Sequence, residues 1–253
     1  MALSLDKWHQ RYQQQAVWTE NLRKYLYTRV GIQNFNKILE VGSGTGVLLA
    51  ELCHNTTASV FGMDISQSSL IMGKQKVPRS INTIGDAHNQ PFDPGSFDIC
   101  LCHFLLLWVA NPLQVLREMA RITRNGGYVL AIAEPDYGGR IDYPVELSQV
   151  GDWQNESLKI QGANPCIGRE LRSLFIQAGL LNIEVGVLGG QWGMDINQEE
   201  FILEWEVIMS DLVQNNMSVD NVPELKALDH SSREKYQRIL YVPTFYAFGK
   251  VKN

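Results

Sequence analysis

A glycine-rich turn between a short apolar run and a helical pattern constrains this 253-residue sequence more than any other feature. The apolar run covers residues 36–41, the turn is Gly42-Ser43-Gly44-Thr45-Gly46, and residues 47–53 follow as a predicted helix. A strand that enters a helix through glycines brings its backbone close to a ligand and directs free N–H groups at it. The spacing is GxGxG followed by Val47, whereas the dinucleotide fingerprint GxGxxG needs glycine at 47. The turn therefore predicts a ligand site and disfavours a nicotinamide dinucleotide.

Short apolar runs alternate with helical patterns along most of the chain. Strands without clean apolar–polar alternation, separated by helices, are typical of a parallel sheet that is covered on both faces. The sequence therefore predicts an α/β fold. The predicted strands are residues 36–41, 59–63, 81–84, 97–102, 128–133, 182–188 and 244–251.

Three segments fall outside this alternation. Residues 134–167 are rich in Gly, Pro, Tyr and Asp, and residues 189–238 carry helical patterns, so both are predicted as insertions that form a cap. Residues 1–30 are predicted as a polar, aromatic-bearing helix that is either a lid over the site or a helix packed on the sheet. We expect one domain over residues 1–253, with its core at 36–134. Tryptophans in the insertions either line an apolar pocket or form the core of the cap; they are Trp153, Trp192 and Trp205.

The charge balance and the cysteines limit the class of partner. The chain has 22 basic and 27 acidic residues, and its formal net charge of −5 argues against a duplex nucleic acid partner. Its four cysteines show no CxxC pairing or metal-finger spacing, so we predict no metal and a reducing, cytoplasmic location. The longest apolar stretch, near residues 104–110, is shorter than the roughly 18 residues that a membrane helix needs. No membrane span is therefore predicted.

Carboxylates follow the second and third predicted strands. Asp64 ends the second strand, where it can accept hydrogen bonds from both hydroxyls of a ribose or serve as an acid before a helix N-cap. Asp86 and Ala87 follow the third strand, where they can bind adenine or form an ordinary turn. Ligands of open α/β sheets bind at the carboxyl ends of the strands, and these residues lie in register with the glycine turn. Together they predict a site for an adenosine-containing ligand.

Four runs within roughly residues 36–134 together resemble the class I S-adenosylmethionine-dependent methyltransferases, above all the small-molecule group related to the ubiquinone and menaquinone biosynthesis enzymes. The runs are KILEVGSGTG, VFGMDIS, GDAHNQPFDPGSFDICLCHFLLLW and LREMARITRNGGYVLAIAEP. The resemblance implies a Rossmann-like seven-stranded sheet with helices on both faces and an antiparallel last strand. It also implies S-adenosylmethionine as the cofactor and a small-molecule methyl acceptor.

The resemblance also implies a role for each matching residue. Glu40 and the glycines line the methionine and ribose moieties, Asp64 holds the ribose hydroxyls, and Asp86 with Ala87 holds adenine. The predicted cofactor-binding residues are Tyr12, Glu40, Gly42, Ser43, Gly44, Gly46, Asp64, Ile65, Asp86, Ala87 and His103.

Methyl transfer demands mainly positioning and exclusion of water, because the sulfonium already carries an activated methyl group. A base is needed only if the acceptor arrives protonated. His103, at the end of the fourth strand, is the candidate base; its alternative role is to line the methionine end of the cofactor through its backbone. Tyr12 is expected to face the sulfonium.

Two other functions remain open. One is a non-catalytic module that binds S-adenosylmethionine, and the less favoured one is a nicotinamide-dependent oxidoreductase. Residues 102–105 (CHFL) lack the (D/N)PP(Y/F) motif of relatives that methylate nucleic acid bases on nitrogen, which disfavours that class of substrate.

Overall fold

The structure is a computed structural model that describes residues 3–188 and 197–252. Trp192, assigned to the cap from the sequence, lies outside the described residues. The helices are α1 (Leu5–Trp18), α2 (Glu20–Val30), α3 (Val47–Asn55), α4 (Gln67–Lys76), α5 (Pro112–Ile122), α6 (Ser148–Ile160), α7 (Leu171–Gln177), α8 (Gln198–Gln214) and α9 (Val222–Glu234). The strands are β1 (Lys37–Val41), β2 (Ser59–Asp64), β3 (Ile81–Ile84), β4 (Phe97–Cys102), β5 (Thr123–Pro135), β6 (Ile141–Tyr143), β7 (Leu181–Leu188), β8 (Ile239–Tyr241) and β9 (Thr244–Lys250).

Seven of these strands form one sheet in the order β3-β2-β1-β4-β5-β9-β7. Strands β1 to β5 pair in parallel, and β9 runs antiparallel to both of its neighbours, β5 and β7. The predicted Rossmann-like sheet with an antiparallel last strand is therefore confirmed. Its carboxyl ends bring the turns after β1, β2, β3 and β4 to one edge, which is where the cofactor residues were predicted.

Apolar clusters cover both faces of the sheet. On one face Leu39 and Met63 pack with Leu116 of α5, and on the other Ile38 packs with Leu26 of α2 and with α3. These side chains are at most 2% exposed, and burying each contributes roughly 1.5–3 kcal/mol. The alternation of Ile38 and Leu39 between the two clusters fixes β1 as an inner strand.

The cap has an apolar cluster of its own, formed by α6, α8 and α9. Trp205 is 1% exposed in this cluster, its indole Nε1 donates to Asp229 at 3.0 Å, and Trp153 packs against it. Both tryptophans thus belong to the core of the cap rather than to an apolar pocket. Strands β6 and β8 pair as a separate two-stranded ribbon beneath it.

Several predicted boundaries differ from the structure. The N-terminal helix is divided into α1 and α2 at Thr19, whose φ and ψ of −107° and 8° are not helical. Strand β5 begins at Thr123 rather than at residue 128, because Thr123 already pairs with Phe97 of β4, and α5 ends at Ile122. Helix α9 ends at Glu234 rather than near residue 238, and the chain then enters β8.

A search of the described helices found none with both the length and the apolar character needed to cross a lipid bilayer.

Candidate active site

The glycine turn is shaped by left-handed backbone angles. The φ values are 74° at Gly42, 51° at Gly44 and 82° at Gly46, a region that residues with a Cβ enter only at a cost. The N–H groups of Gly42 and Ser43 both donate to the carbonyl oxygen of Met63, at 2.8 and 3.0 Å. A Cβ on Gly42 would lie 2.8 Å from Leu105, so the turn and the loop after β4 are in direct contact. This geometry needs glycine and brings β1, β2 and β4 together at one point.

The Asp64 carboxylate stabilises the glycine turn by hydrogen bonds with the main chain. Its Oδ2 accepts from the N–H of Gly44 at 2.7 Å, and its Oδ1 accepts from the N–H of Ser66 at 2.8 Å. Each carboxylate oxygen has two lone pairs, so each can accept one further hydrogen bond. The side chain lines the cavity above the turn. Asp64 can therefore support the turn and accept from two hydroxyls of a ligand at the same time.

Two buried oxygen atoms beside the turn lack a hydrogen-bond partner among the described residues. Glu40 is 3% exposed and Ser43 is 5% exposed, and the orphaned atoms are Oε2 of Glu40 and Oγ of Ser43. Both residues line the cavity. Burial, followed by the charge of Asp64, raises the pKa of Glu40 well above its ordinary value. Because buried polar atoms are normally satisfied, these two atoms fit a polar ligand that carries a donor group.

Helix α1 lies over the turn. The Tyr12 ring is 3.6 Å from the position that a Cβ on Gly44 would occupy. The Trp8 ring stacks on the Tyr12 ring, with 6.1 Å between the two ring centroids. His9 Nδ1 and Thr45 Oγ1 form a buried hydrogen bond of 2.7 Å. No role was predicted for His9, and only its spacing of three residues from Tyr12 places it on the same helix face. The lid role of this helix remains a prediction.

Four residues predicted to contact the cofactor do not line the cavity; they are Gly46, Ile65, Asp86 and Ala87. The last three lie close to Asp64, which does line it, because Ile65 follows Asp64 and the N–H of Gly85 donates to the carbonyl oxygen of Asp64 at 3.1 Å. Ile65 is 74% exposed. Asp86 accepts from the backbone N–H of His88 at 2.8 Å, and this bond is the first cause of its lowered pKa. A ligand reaching them would extend from the cavity across the end of β2 and β3.

His103 follows β4 and lines the cavity. Its Nε2 is 2.9 Å from Oγ1 of Thr19, which also accepts from Arg23 at 2.6 Å. Burial, followed by the charge of Arg23, lowers the pKa of His103 to about 3. The imidazole is therefore neutral near pH 7 and is a weak proton acceptor. The general-base role remains a prediction.

Glu134, near the end of β5, organises the loop that forms one cavity wall. Its buried carboxylate accepts from the backbone N–H groups of Leu105, Leu106 and Leu107, at 3.0, 2.8 and 3.2 Å. Burial raises its pKa to about 8, and the three hydrogen bonds act in the opposite direction. Sequence analysis did not anticipate this contact, because the two segments are far apart in the chain.

The cavity has a volume of about 1080 Å³ and extends from the glycine turn to the cap. Pockets for one drug-sized ligand usually measure about 300–1000 Å³, so there is room for a cofactor and a second molecule. Its far wall includes Arg140, Arg233 and Arg238, beside Tyr137 and Tyr241. We call the part of the cavity at the turn, where cofactor residues are predicted, the cofactor half, and the part at this wall the cap half.

The three arginines of the cap half are held by carboxylates. Asp142 accepts from Arg140 at 2.5 Å and from Arg238 at 2.7 Å. Asp229 accepts from Arg238 at 2.8 Å and from Arg233 at 3.1 Å. Glu204 also accepts from Arg233, at 3.2 Å. Three cations face three anions, so this network is neutral overall.

Comparison with known proteins identifies the central segment of the chain. Residues 39–131 match the model of the methyltransferase domain family. The chain carries a methyltransferase domain. Over this segment the predicted resemblance to the class I S-adenosylmethionine-dependent methyltransferases is confirmed.

This methyltransferase domain has relatives in quinone biosynthesis. The chain is 35% identical over 128 residues to the demethylmenaquinone methyltransferase of Staphylococcus epidermidis, a match that covers 48% of this chain and 51% of the relative. It is 28% identical over 118 residues to the ubiquinone/menaquinone biosynthesis C-methyltransferase UbiE of a Geobacter species, over 44% of this chain and 50% of that one. The chain thus spans about half the length of the curated relatives that it matches.

Solved methyltransferase structures share the fold over more of the chain. A Haloferax volcanii protein in complex with the Trm112 methyltransferase activator superposes with a TM-score of 0.62 at 19% identity, covering 98% of this chain and 96% of that one. Geranyl diphosphate methyltransferase in complex with S-adenosylmethionine gives a TM-score of 0.58 at 13% identity, over 92% and 85%. At these identities the likeness extends to the fold alone.

Proposed function

We propose that this protein transfers a methyl group from S-adenosylmethionine to a small molecule held in the cap half of the cavity. The observation that carries the proposal is the pair of orphaned buried oxygens, Glu40 Oε2 and Ser43 Oγ, beside a glycine turn in a methyltransferase domain. The cofactor, when bound, supplies a methyl group activated by its sulfonium.

The residues of the cofactor half fit the parts of that cofactor. Glu40 and Ser43 suit the donor groups of the methionine end, and Asp64 has a free lone pair on each oxygen for the ribose hydroxyls. Asp86, with Ile65 and Ala87, is suited to adenine at the cavity edge. Tyr12 offers its ring beside Gly44, where an aromatic face suits a cation.

The contribution of the protein to the reaction is binding, orientation and exclusion of water. Helix α1, the cap and the loop held by Glu134 all contribute side chains to the lining of the cavity. His103, neutral and hydrogen-bonded to Thr19, is suited to hold this wall. A methyl acceptor whose attacking atom is already deprotonated needs only binding, orientation and exclusion of water, and no general base.

A non-catalytic binding module is the second candidate. The volume of the cavity favours the enzyme, since a module that binds the cofactor alone has no need of space beside it. The small-molecule acceptor, the absence of a nucleic acid partner and a cytoplasmic location, all expected from the sequence, remain parts of this proposal.

The experiment is calorimetric titration with S-adenosylmethionine, S-adenosylhomocysteine and NAD, followed by an extract assay with methyl-labelled cofactor. We expect both sulfur compounds to bind, NAD not to bind, and label to appear in a small molecule.

Asp64→Ala should lower cofactor affinity by roughly 1.5–3 kcal/mol, the range for hydrogen bonds to charged groups. Asp93→Ala, which removes an exposed turn carboxylate, is the matched control. Cofactor binding without label transfer to any extract would favour the module, and unchanged affinity in Asp64→Ala would remove Asp64 from the site.

A further inference from the structure

Arg11 is a buried cation on α1 that lines the cavity. Only 6% of the residue is exposed. Its Nη1 donates to Oε1 of Gln14 at 2.5 Å, and its guanidinium lies over the Trp18 ring, 4.7 Å from the centroid. Within residues 3–188 and 197–252, no carboxylate oxygen lies within 4 Å of its nitrogens, and its remaining donors have no acceptor.

A buried guanidinium in this state lacks a counterion. Arginine stays protonated in proteins and presents five N–H donors in a planar fork. A buried charge is costly unless it is paired and hydrogen-bonded, and the carboxylate and phosphate groups match the fork bidentately. The contact with Trp18 stabilises the cation only in part. An anion that enters the cavity would meet an unsatisfied, pre-positioned partner.

The other arginines of the cavity do not share this property. Arg140, Arg233 and Arg238 are all bound to carboxylates in the neutral network of the cap half. They form a polar wall without excess charge. Arg11 is therefore the arginine of this cavity lining, as far as the structure describes it, that has no carboxylate partner.

Arg11 faces the cap rather than the glycine turn. Its partner Gln14 donates from Nε2 to the carbonyl oxygen of Glu200 on α8, at 3.4 Å. Asp211, also on α8, lines the cavity; burial raises the pKa of Asp211, whereas the hydrogen bond from Gln161 and the charge of Arg11 act in the opposite direction. The neighbouring Tyr12 lies on the turn instead. The guanidinium thus belongs to the half of the cavity that is left for the acceptor.

We propose that Arg11 binds an anionic group, a carboxylate or a phosphate, of the methyl acceptor. The proposal rests on the methyl-transfer function proposed above and names its substrate class. The cavity lining also includes Val17, Trp18, Leu107, Trp108 and Val207, which suits an apolar body attached to the anionic group. The acceptor is accordingly an amphipathic acid.

The test uses matched pairs of acids and their neutral amides as probes. Benzoate and benzamide, naphthoate and naphthamide, and decanoate and decanamide are titrated calorimetrically into the protein saturated with S-adenosylhomocysteine, with phenyl phosphate as a further probe. We expect the acid of at least one pair to bind about tenfold to a hundredfold more tightly than its amide, the range for hydrogen bonds to a charged group.

Variants assign this preference to Arg11. Arg11→Gln should abolish it, Arg11→Lys should keep part of it, and Arg172→Gln, at an exposed arginine of α7, should leave it unchanged. Asp211→Asn should strengthen acid binding, because it removes a negative charge that repels an anion entering the cavity. Thermal unfolding of each variant checks that the fold is retained.

Several outcomes would overturn the proposal. Equal binding of acid and amide in every pair, no binding of any acid, or a preference that survives Arg11→Gln would each do so. A parallel loss of cofactor affinity in Arg11→Gln would assign the guanidinium to the carboxylate of the cofactor instead. A wild-type protein that binds no cofactor would contradict the methyl-transfer function itself, whereas normal cofactor binding without acid preference would contradict the Arg11 proposal alone.

Discussion

In the cofactor half of the cavity the backbone shapes the binding surface, whereas in the cap half long side chains do so. Gly42 and Gly44 form a left-handed turn that Asp64 supports through a main-chain hydrogen bond. Across the cavity, Arg140 and Arg238 are held in place by Asp142, which comes from the short β6–β8 ribbon. Substitutions in the two halves should therefore have different effects on stability and on ligand binding.

The difference separates a part of the cavity that tolerates little substitution from a part that can adapt. The backbone turn depends on three strands of the sheet and tolerates little change. The cap half depends on side chains from distant segments, so substitutions there can alter the acceptor and leave the cofactor site intact.

Asp142→Ala tests the independence of the cap half. It should destabilise the protein by roughly 3–5 kcal/mol, because two buried arginines lose a shared carboxylate. Cofactor affinity, measured on the folded protein, should stay within about twofold, well below the 1.4 kcal/mol of a tenfold change. Chemical denaturation measures the first effect, and Asp152→Ala, at an exposed carboxylate of α6, is the control. A cofactor affinity that falls with the stability would show that the two halves are not separable.

Gly42→Ala tests the backbone turn. The left-handed angle costs roughly 1–2 kcal/mol for a residue with a Cβ, and the 2.8 Å approach to Leu105 adds roughly 1–3 kcal/mol. We expect losses of both stability and cofactor affinity. Gly162→Ala is a matched control, since its φ is 83° but nothing lies within 4 Å of the added Cβ. Equal effects of the two substitutions would mean that contact with Leu105 does not shape the site.

Removal of residues 1–18 tests whether α1 serves the cofactor half. Truncation should stop before α2, because Leu22, Leu26 and Val30 belong to the sheet core. We expect cofactor affinity to fall about tenfold to a hundredfold, since the ring of Tyr12 and the His9–Thr45 hydrogen bond over the turn are lost. The variant Tyr12→Ala provides a milder form of the same test. Full affinity in a folded truncation would exclude a lid over the cofactor.

His103→Gln should give the smallest effect at neutral pH. With a folded pKa of about 3 and an ordinary value of 6.5, His103 stays neutral while the unfolded chain takes up a proton as the pH falls between these values. Stability contributed by the neutral form is therefore lost as the pH falls through this window, by up to about 1.4 kcal/mol per pH unit. Denaturation curves recorded across this pH window should show that the free energy of unfolding of the variant lacks this pH dependence.

The same substitution tests the proton-acceptor role. We expect the ratio of wild-type to variant kcat/KM to be constant at pH values above this window, because the imidazole does not titrate there. A variant whose rate is recovered at higher pH would instead establish His103 as the base.

The cofactor half could be predicted because its signals are local. Gly42, Gly44 and Asp64 stand at the ends of consecutive strands, and the parallel order of those strands follows from the alternation of apolar runs and helices. The break at Thr19 could not be predicted in this way, since Thr19 bonds to Arg23 and His103, and His103 is distant in the sequence.

The cap half could not be predicted for a related reason. In the sequence the arginines are spread along the chain, as on a solvated surface, and only the packing of α1 near α8 buries Arg11. The main-chain N–H groups of 105–107 likewise donate to the oxygens of Glu134, which is distant from them in the sequence. Long-range pairings of this kind leave no periodic trace in the sequence.

The position of β9 between β5 and β7 has a consequence for synthesis of the chain. Within the described sheet β7 pairs with β9 alone, so it has no partner until residues 244–250 have left the ribosome. While residues 189–243 are being translated, the nascent chain carries open strand edges on β5 and β7, which are sites for mispairing. The length of the cap insertion therefore sets how long the open edges of β5 and β7 can mispair during synthesis.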